Sequence, residues 1–215
     1  MNVLFTPFQV GRSILMHAFG RPQGLLGRVG GIIMARTNLD AGVWACELLE
    51  VKPTDSVLEV GFGPGVIIEH LSDLATAGHI VGVDQSFEMV EQARARNAAA
   101  VDAGRIDLRH GSVESLPFDD NSVDKALAIN SMQVWSDALA GLQEMRRAMK
   151  PGGRIALCFT PYSGQSAEGL AETCNAAGFN ETRVVESDKG ICAVAPVHHQ
   201  IAEPLRARIP VPCPD

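Results

Sequence analysis

The stretch Val57-Leu-Glu-Val-Gly-Phe-Gly-Pro-Gly65 joins a short apolar segment to a run of glycines. The apolar residues predict a buried β-strand that begins near Ser56, and the spacing of Ile67, Leu71 and Leu74 predicts a helix after the glycines. Glycine lets the backbone turn sharply and approach a ligand without a Cβ, and the free amides at a helix start favour an anionic group. The stretch therefore predicts a strand, a ligand-binding loop and a helix start.

The next predicted strand, over 79–83, ends at Asp84. Asp84 lies about 20 residues beyond the loop. A carboxylate at this spacing can accept hydrogen bonds from both hydroxyls of a ribose. The alternative is that Asp84 only places a favourable charge before a helix, which Ser86 caps and which runs to about Ala100. The glycine loop and the carboxylate together indicate a ligand that contains adenosine.

Strands and helices alternate through the rest of the region 38–195, with further strands predicted over 106–110, 125–130, 154–159, 182–186 and 191–195. This alternation predicts a mainly parallel sheet with helices on both faces. Only Ser187-Asp-Lys-Gly190 separates the last two strands. A helical crossover needs a longer connection, so these two strands must be antiparallel.

Two zones flank this region. Residues 1–37 combine glycines with large apolar side chains, and we expect them to form a helical cover over the site. Residues 196–215 contain five prolines, which rule out a packed helix or a central strand, so they are expected to form a Pro-rich tail.

The composition limits the classes of partner. The chain has 215 residues with 18 Lys and Arg against 25 Asp and Glu, a formal charge of −7. This balance provides no basic face for a nucleic acid duplex, so we expect no nucleic-acid partner. No apolar run approaches the roughly 18 residues that span a bilayer, and no export signal is evident at Met1–Val10.

The five cysteines are widely spaced and form no C-x-x-C pair, so they predict no metal site. They are typical of buried, reduced thiols in a cytoplasmic protein.

A nicotinamide-dependent oxidoreductase is one alternative for an adenosine-containing ligand. The dinucleotide fingerprint places its third glycine where this chain has Val66. The only tyrosine, Tyr162, is followed four residues later by Ser166, so a Tyr-x-x-x-Lys pair is absent. Both observations disfavour this class.

The chain resembles the class I S-adenosylmethionine-dependent methyltransferases, particularly the small-molecule group with a Leu-Pro-Phe motif. The matching motifs are the 57–65 glycine loop, Val81-Gly-Val-Asp84, Gly111-Ser-Val-Glu-Ser-Leu-Pro-Phe118 and the Lys150-Pro-Gly-Gly153 turn. The resemblance implies an α/β, Rossmann-like, doubly wound sheet of seven strands. Its expected order is 3-2-1-4-5-7-6, with strand 7 antiparallel.

The resemblance also implies a binding site for S-adenosylmethionine. The implied cofactor-binding residues are Glu59, Gly61, Gly63, Gly65, Asp84, Gln85, Met89, Ser112, Val113 and Asn130. Glu59, Gly61 and Gly63 would surround the methionine part, and Asp84 would bind the ribose.

The remaining contacts follow from the same resemblance. Ser112 and Val113 would lie at the adenine edge, and Asn130 would lie beside the methionine carboxylate or the reacting centre. The family often has an acidic residue where this chain has Ser112, so here a hydroxyl or a backbone group must accept from the adenine amino group.

Methyl transfer from an activated sulfonium needs mainly alignment and a dry pocket. Gln133 and Trp135 follow the fourth strand and are predicted to form a wall of the acceptor site, or alternatively to anchor the next helix. His17 is a candidate general base in the predicted cover, although an isolated histidine among apolar residues is also typical of a structural role.

The sequence thus predicts a cytoplasmic methyltransferase that acts on a small, apolar or aromatic organic acceptor. A noncatalytic module that binds an adenosyl ligand stays open as an alternative, because the sequence fixes no catalytic base. The oligomeric state is also open.

Overall fold

Strand β1, Ser56–Val60, is the central strand of the sheet and pairs in parallel with a neighbour on each side. Val57 packs into the hydrophobic cluster on one face and Leu58 into the cluster on the other. A strand covered on both faces must be apolar on both, which explains why this segment shows no alternation of apolar and polar residues.

The computed structural model describes residues 38–198. The predictions for His17, for the cover over 1–37 and for residues 199–215 of the tail lie outside this range.

Seven strands form one sheet, in the order β3-β2-β1-β4-β5-β7-β6. Strand β7 is antiparallel to β5 and β6, and the other neighbours are parallel, which confirms the predicted topology. The strands after β1 are β2 His79–Asp84, β3 Ile106–His110, β4 Val123–Ile129, β5 Met149–Phe159, β6 Arg183–Ser187 and β7 Gly190–Pro196.

Helices cover both faces of the sheet. They are α1 over 38–49, α2 Val66–Leu74, α3 Phe87–Arg96, α4 Ala98–Asp102, α5 Ala138–Ala148 and α6 Leu170–Ala176. Leu49, Ile68 and Val90 bury α1, α2 and α3 on the first face. Leu142 and Leu170 bury α5 and α6 on the second. None of these helices is long and apolar enough to cross a bilayer.

The single helix predicted from Ser86 to about Ala100 is wrong, because Asn97 divides it into α3 and α4. The Asn97 Nδ2 donates to the carbonyl of Ala93 at 2.9 Å and to the carbonyl of Gly65 at 3.1 Å. An asparagine that bonds to backbone carbonyls competes with the helix and favours a break. The hydrogen bond to Gly65 joins the end of α3 to the glycine loop that precedes α2.

Candidate functional site

A cleft opens at the carboxyl ends of β1, β2, β3 and β4. Ligands of open parallel sheets bind at this edge. The lining residues are Val60, Gly61, Gly63, Val83, Asp84, Gln85, Met89, Gly111, Ser112, Val113, Glu114, Ile129, Asn130, Ser131, Val134 and Trp135.

Gly61 allows the loop after β1 to meet the loop after β4. Its φ is 71°, and a Cβ at this position would lie 2.4 Å from the Cβ of Ser131. The Gly61 N–H donates to the Val83 carbonyl at 2.8 Å, and the Ser131 hydroxyl donates to the Val60 carbonyl at 2.9 Å. A side chain at Gly61 would therefore separate the two loops.

Gly65 does not line the cleft. It precedes α2 with a φ of 78°, and a Cβ here would lie 2.6 Å from the Cβ of Ala93. The structure thus places Gly65 behind the loop, where it allows α3 to pack closely. Its contact with the cofactor stays a prediction.

Asp84 lies at the end of β2 and holds two backbone amides. Its Oδ2 accepts from the Gly63 N–H at 2.9 Å, and its Oδ1 accepts from the Ser86 N–H at 2.8 Å. Burial raises the pKa of Asp84 to about 6, against the opposing effect of these two hydrogen bonds. Each carboxylate oxygen has a second lone pair, so Asp84 retains capacity to accept from ligand hydroxyls.

Glu59 carries a buried carboxyl group beside the glycine loop. It is 2% exposed, and its Oε2 has no hydrogen-bond partner among the described residues. Burial raises the pKa of Glu59 well above its usual range, and the negative charge of Asp84 raises it further. Burial of such a carboxyl group costs free energy unless a cation or a hydrogen-bond donor contacts it.

Glu59 lines a smaller cavity that adjoins the cleft, since Gly61, Gly63 and Ile129 line both. The two cavities together therefore offer a carboxylate at each side of the glycine loop. An ammonium group would pair with the carboxylate of Glu59, and the hydroxyls of a ribose would donate hydrogen bonds to the carboxylate of Asp84. These residues fit the groups that S-adenosylmethionine carries.

Asn130 directly follows β4 and has a φ of 49°. Its Nδ2 donates to Asn38 Oδ1 at 2.8 Å and to Thr160 Oγ1 at 2.9 Å, and its Oδ1 accepts from the Thr160 N–H at 2.9 Å. Both amide hydrogens are therefore used inside the protein. We call Asn38, Asn130 and Thr160 the amide clasp, because they join α1 to the ends of β4 and β5.

The amide clasp changes the interpretation of Asn130. The residue lines the cleft, as expected, but its side chain has no remaining N–H for a methionine carboxylate. Sequence reasoning missed the role of Asn38, which is 92 positions away. No local pattern signals a contact over that separation.

The loop after β3 forms the outer end of the cleft. Ser112 is exposed and Val113 is buried, and the Ser112 hydroxyl donates to the carboxylate of Glu114. The Glu114 Oε1 accepts from the Ser136 N–H at 2.9 Å and from the Asp137 N–H at 3.2 Å. Glu114 was not predicted as a site residue, although it lies within the motif that contains Leu-Pro-Phe.

Gln85 and Met89 line the cleft between Asp84 and this outer loop. Met89 is buried near the start of α3, where Ser86 accepts a hydrogen bond from the Met89 N–H at 3.4 Å. The predicted cap at Ser86 is therefore confirmed.

Trp135 and Gln133 have different surroundings. Trp135 lines the cleft, and its ring also packs on α5, where a Cβ at Gly141 would lie 2.9 Å from Trp135 Cε3. Gln133 is exposed and does not line the cleft. Trp135 thus fits both interpretations, as a wall and as a helix anchor, whereas Gln133 is not brought to the site.

Within residues 38–198, no histidine or lysine lines either cavity, and no group of three His, Cys, Asp or Glu side chains is arranged to hold a metal ion. The candidate base His17 lies outside this range. The titratable groups at the site are thus Glu59, Asp84 and Glu114.

Comparisons with known proteins match this same region. The family described as "Methyltransferase domain" matches residues 57–153. The "Uncharacterized methyltransferase YdaC" of Bacillus subtilis (strain 168) is 28% identical over 179 residues, which cover 78% of this chain and 97% of that protein.

Two further matches are more distant. The "Ubiquinone/menaquinone biosynthesis C-methyltransferase UbiE" of Geotalea daltonii is 34% identical over 115 residues, or 53% of this chain and 49% of that protein. The crystal structure of an S-adenosylmethionine-dependent methyltransferase from Aquifex aeolicus has a TM-score of 0.67 at 22% identity. The match covers 75% of this chain and 93% of the Aquifex aeolicus chain, and it shows that the two folds are alike.

Proposed function

Because the chain belongs to the class I S-adenosylmethionine-dependent methyltransferases, we propose that it transfers the cofactor's methyl group to a small organic acceptor. The observation that carries the proposal is the pair of buried carboxyl groups, Glu59 and Asp84, at the two sides of the glycine loop. Bound S-adenosylmethionine supplies a methyl group already activated by a sulfonium.

The roles of the chain's own residues follow from their positions. Asp84 accepts from the ribose hydroxyls while it holds the loop through the Gly63 amide. Glu59 accepts from the methionine ammonium through its unpartnered Oε2. Gly61 keeps the loops after β1 and β4 in contact beside the cleft.

The acceptor side of the cleft favours a small molecule with an apolar part. Ile129, Val134 and Trp135 provide apolar lining beside the polar cofactor contacts. The formal charge of −7 opposes the approach of a nucleic acid backbone. One distant relative is named as a C-methyltransferase of quinone biosynthesis, which is compatible with an aromatic acceptor.

We also propose that residues 1–37 complete the acceptor site. The support for this proposal is that Asn38, the first described residue, bonds to Asn130 beside the cleft. His17, within this segment, is the proposed base for acceptors that must lose a proton.

The first test is calorimetry of the purified chain with S-adenosylmethionine, S-adenosylhomocysteine and NAD. The proposal expects binding of the first two ligands and none of NAD. Binding of NAD alone would favour the oxidoreductase alternative.

The second test is a radiolabelled-methyl screen against fractionated metabolite extracts. Label transferred to a small organic compound is the expected result, and the labelled compound identifies the acceptor. Tight cofactor binding with no transfer in any fraction would favour a noncatalytic binding module.

A further inference from the structure

Helix α1 forms one wall of the smaller cavity that Glu59 lines, which we call the Glu59 cavity. Asn38 and Leu39, at the start of α1, line this cavity together with Glu59. Further along the helix, burial raises the pKa of the Cys46 thiol, and the negative charge of Glu59 raises it further. Both ends of this stretch of α1 therefore lie close to the buried carboxyl group of Glu59.

Gly42 lies between these two ends, on the same face of α1 as Asn38 and Cys46, because the three residues recur at intervals of four. It is buried in the helix interior, where glycine is less favourable than alanine. A Cβ at Gly42 would lie 2.3 Å from Ile67 Cδ1, 2.5 Å from Ile67 Cγ1 and 3.1 Å from Ile129 Cδ1. The glycine thus allows α1 to approach α2 more closely than any other residue would.

Ile67 cannot move aside without changing the Glu59 cavity. It is 4% exposed, and a β-branched side chain in a helix has one strongly preferred χ1 rotamer. Ile67 and Ile129 both line the Glu59 cavity. A side chain at position 42 must therefore either push α1 outward or displace a wall residue of the cavity. Either change alters the surroundings of Glu59.

We infer that Gly42 is a positioning residue for the amino-acid group of the cofactor. By seating α1 against Ile67, it keeps the Glu59 cavity narrow, so that Glu59 pairs with the ammonium group away from bulk water. The attraction between two opposite charges is stronger there than in water. The inference rests on the proposed function, in which Glu59 accepts from the ammonium group of the cofactor.

The experiment compares two ligands on each variant by calorimetry: S-adenosylhomocysteine and methylthioadenosine. Methylthioadenosine keeps the adenosine and the sulfur but lacks the amino and carboxyl groups. We define the amino-acid contribution as the Kd of methylthioadenosine divided by the Kd of S-adenosylhomocysteine. Because both ligands are measured on the same preparation, partial loss of folded protein cancels, as does any change at the adenosine end of the site.

The unaltered protein is expected to show an amino-acid contribution of about tenfold or more, the effect of a hydrogen bond between charged groups. Gly42→Ala should reduce it to within about threefold. Gly42→Ala combined with Ile67→Ala removes the two closest atoms that the new Cβ would meet, and the added methyl group fills part of the space that Ile67 leaves. This double variant should restore a contribution of about tenfold, which a purely destabilising substitution would not do.

Gly153→Ala is the matched control. Gly153 is buried in the first half of β5, where a Cβ would lie 2.7 Å from the Asp124 carbonyl oxygen, and it lines neither cavity. The control should lower stability to urea without changing the amino-acid contribution.

Asn38→Ala tests the position of α1 without adding an atom. It removes the hydrogen bond that Asn130 donates to the start of this helix, so α1 is held less firmly over Glu59. We expect the amino-acid contribution to fall by about threefold.

The inference is overturned if Gly42→Ala keeps the full amino-acid contribution, or if the double variant fails to restore it. If Gly42→Ala does not fold, Asn38→Ala decides, and a full contribution in that variant overturns the inference. In these cases S-adenosylhomocysteine still binds, and the proposed function stands. Equal binding of both ligands by the unaltered protein overturns the inference together with the role of Glu59. If neither ligand binds, the proposed function is wrong as well.

Discussion

Asp84 combines two tasks, since the same carboxylate holds the glycine loop and faces the cleft. Asp84→Ala is expected to weaken S-adenosylmethionine binding by about 1.5 to 3 kcal/mol, because a charged hydrogen-bond acceptor is lost. Calorimetry measures this. Asp107→Ala is the matched control, because it removes a carboxylate that is paired with Arg109 on β3 and does not line the cleft. Unchanged affinity in folded Asp84→Ala would remove the ribose assignment.

The raised pKa of Asp84 predicts a pH dependence of binding. Below about pH 6 the buried carboxyl is protonated in the ligand-free protein and accepts more weakly from the ribose. The affinity for S-adenosylmethionine should therefore rise with pH through about 6 and then level. Calorimetry in two buffers with different ionisation enthalpies should detect proton release near pH 6. An affinity that stays constant from about pH 5 to 8 would contradict the prediction.

The raised pKa of Asp84 also makes the stability of the ligand-free protein depend on pH, in the opposite direction to the ligand affinity. Asp84 binds its proton more tightly in the folded chain than in the unfolded chain, where its pKa is 3.8. The contribution of this group to the free energy of unfolding is therefore largest below pH 3.8 and is lost as pH rises through about 6. Ligand-free protein thus loses stability from this group over the interval in which ligand affinity increases.

Gly61→Ala tests the close approach of the loops after β1 and β4. Gly152→Ala is the control, because Gly152 also has a positive φ, 82°, but its added Cβ would meet nothing within 4 Å. Both variants should lose about 1 kcal/mol of stability from the backbone conformation. Only Gly61→Ala should also weaken cofactor binding, since its Cβ displaces Ser131. Urea unfolding and calorimetry separate the two effects, and equal cofactor affinity in the two variants would contradict the role of Gly61.

The amide clasp joins α1 to the ends of β4 and β5. Its contribution to the free energy of unfolding can be measured by comparison with a matched asparagine. Asn130→Ala and Asn121→Ala both replace an asparagine at positive φ, 49° and 52°, at a cost of about 1 kcal/mol. Asn130→Ala additionally removes hydrogen bonds to Asn38 and Thr160, so it should lose about 2 kcal/mol more than Asn121→Ala. Urea unfolding gives both values. Equal losses would show that the clasp does not stabilise the fold.

The element order was accessible from the sequence because its signals are local. Four residues, 187–190, connect the last two predicted strands, and the structure forms that hairpin with Ser187 paired to Gly190. The apolar run at β1 and the carboxylate at the end of β2 likewise follow from short patterns. The break at Asn97 was not accessible, because it depends on a hydrogen bond to Gly65, 32 positions away.

The residues of the candidate site likewise fall into those that the sequence predicted and those that it did not. The glycine loop and Asp84 were identified from their spacing, and the structure brings both to one cleft. Asn38 and Glu114 were missed, because their roles depend on contacts with residues 92 and 22 positions away. Gln133 was predicted because it follows the fourth strand, where an acceptor would enter, but of Gln133 and Trp135 only Trp135 lines the cleft.

At the scale of the whole molecule, the cleft lies on the β3-β2-β1-β4 half of the sheet, and Asn38, the first described residue, bonds to Asn130 beside it. A chain that begins at Asn38 is expected to keep S-adenosylmethionine affinity within about tenfold of the full chain. It should lose most transfer to the acceptor found in the methyl screen, because a cover excludes water and aligns that molecule.

The matched control for this truncation is a chain that ends at His198, which removes residues 199–215 and should keep both properties. Full transfer by the chain that begins at Asn38 would contradict the proposed cover. Loss of folding would instead assign residues 1–37 to the core.

The position of β7 between β5 and β6 has a consequence for biosynthesis. β6 is synthesised first but pairs only with β7, so neither strand can join the sheet until β7 has been made. Ribosomes add about 5 to 20 residues each second, so the 37 residues from Thr160 to Pro196 take roughly 2 to 7 s. During that interval the edge of β5, with the apolar run Ile155-Ala-Leu-Cys-Phe159, has no neighbour. During synthesis this unpaired edge is therefore the part of the sheet most open to pairing with a strand of another chain.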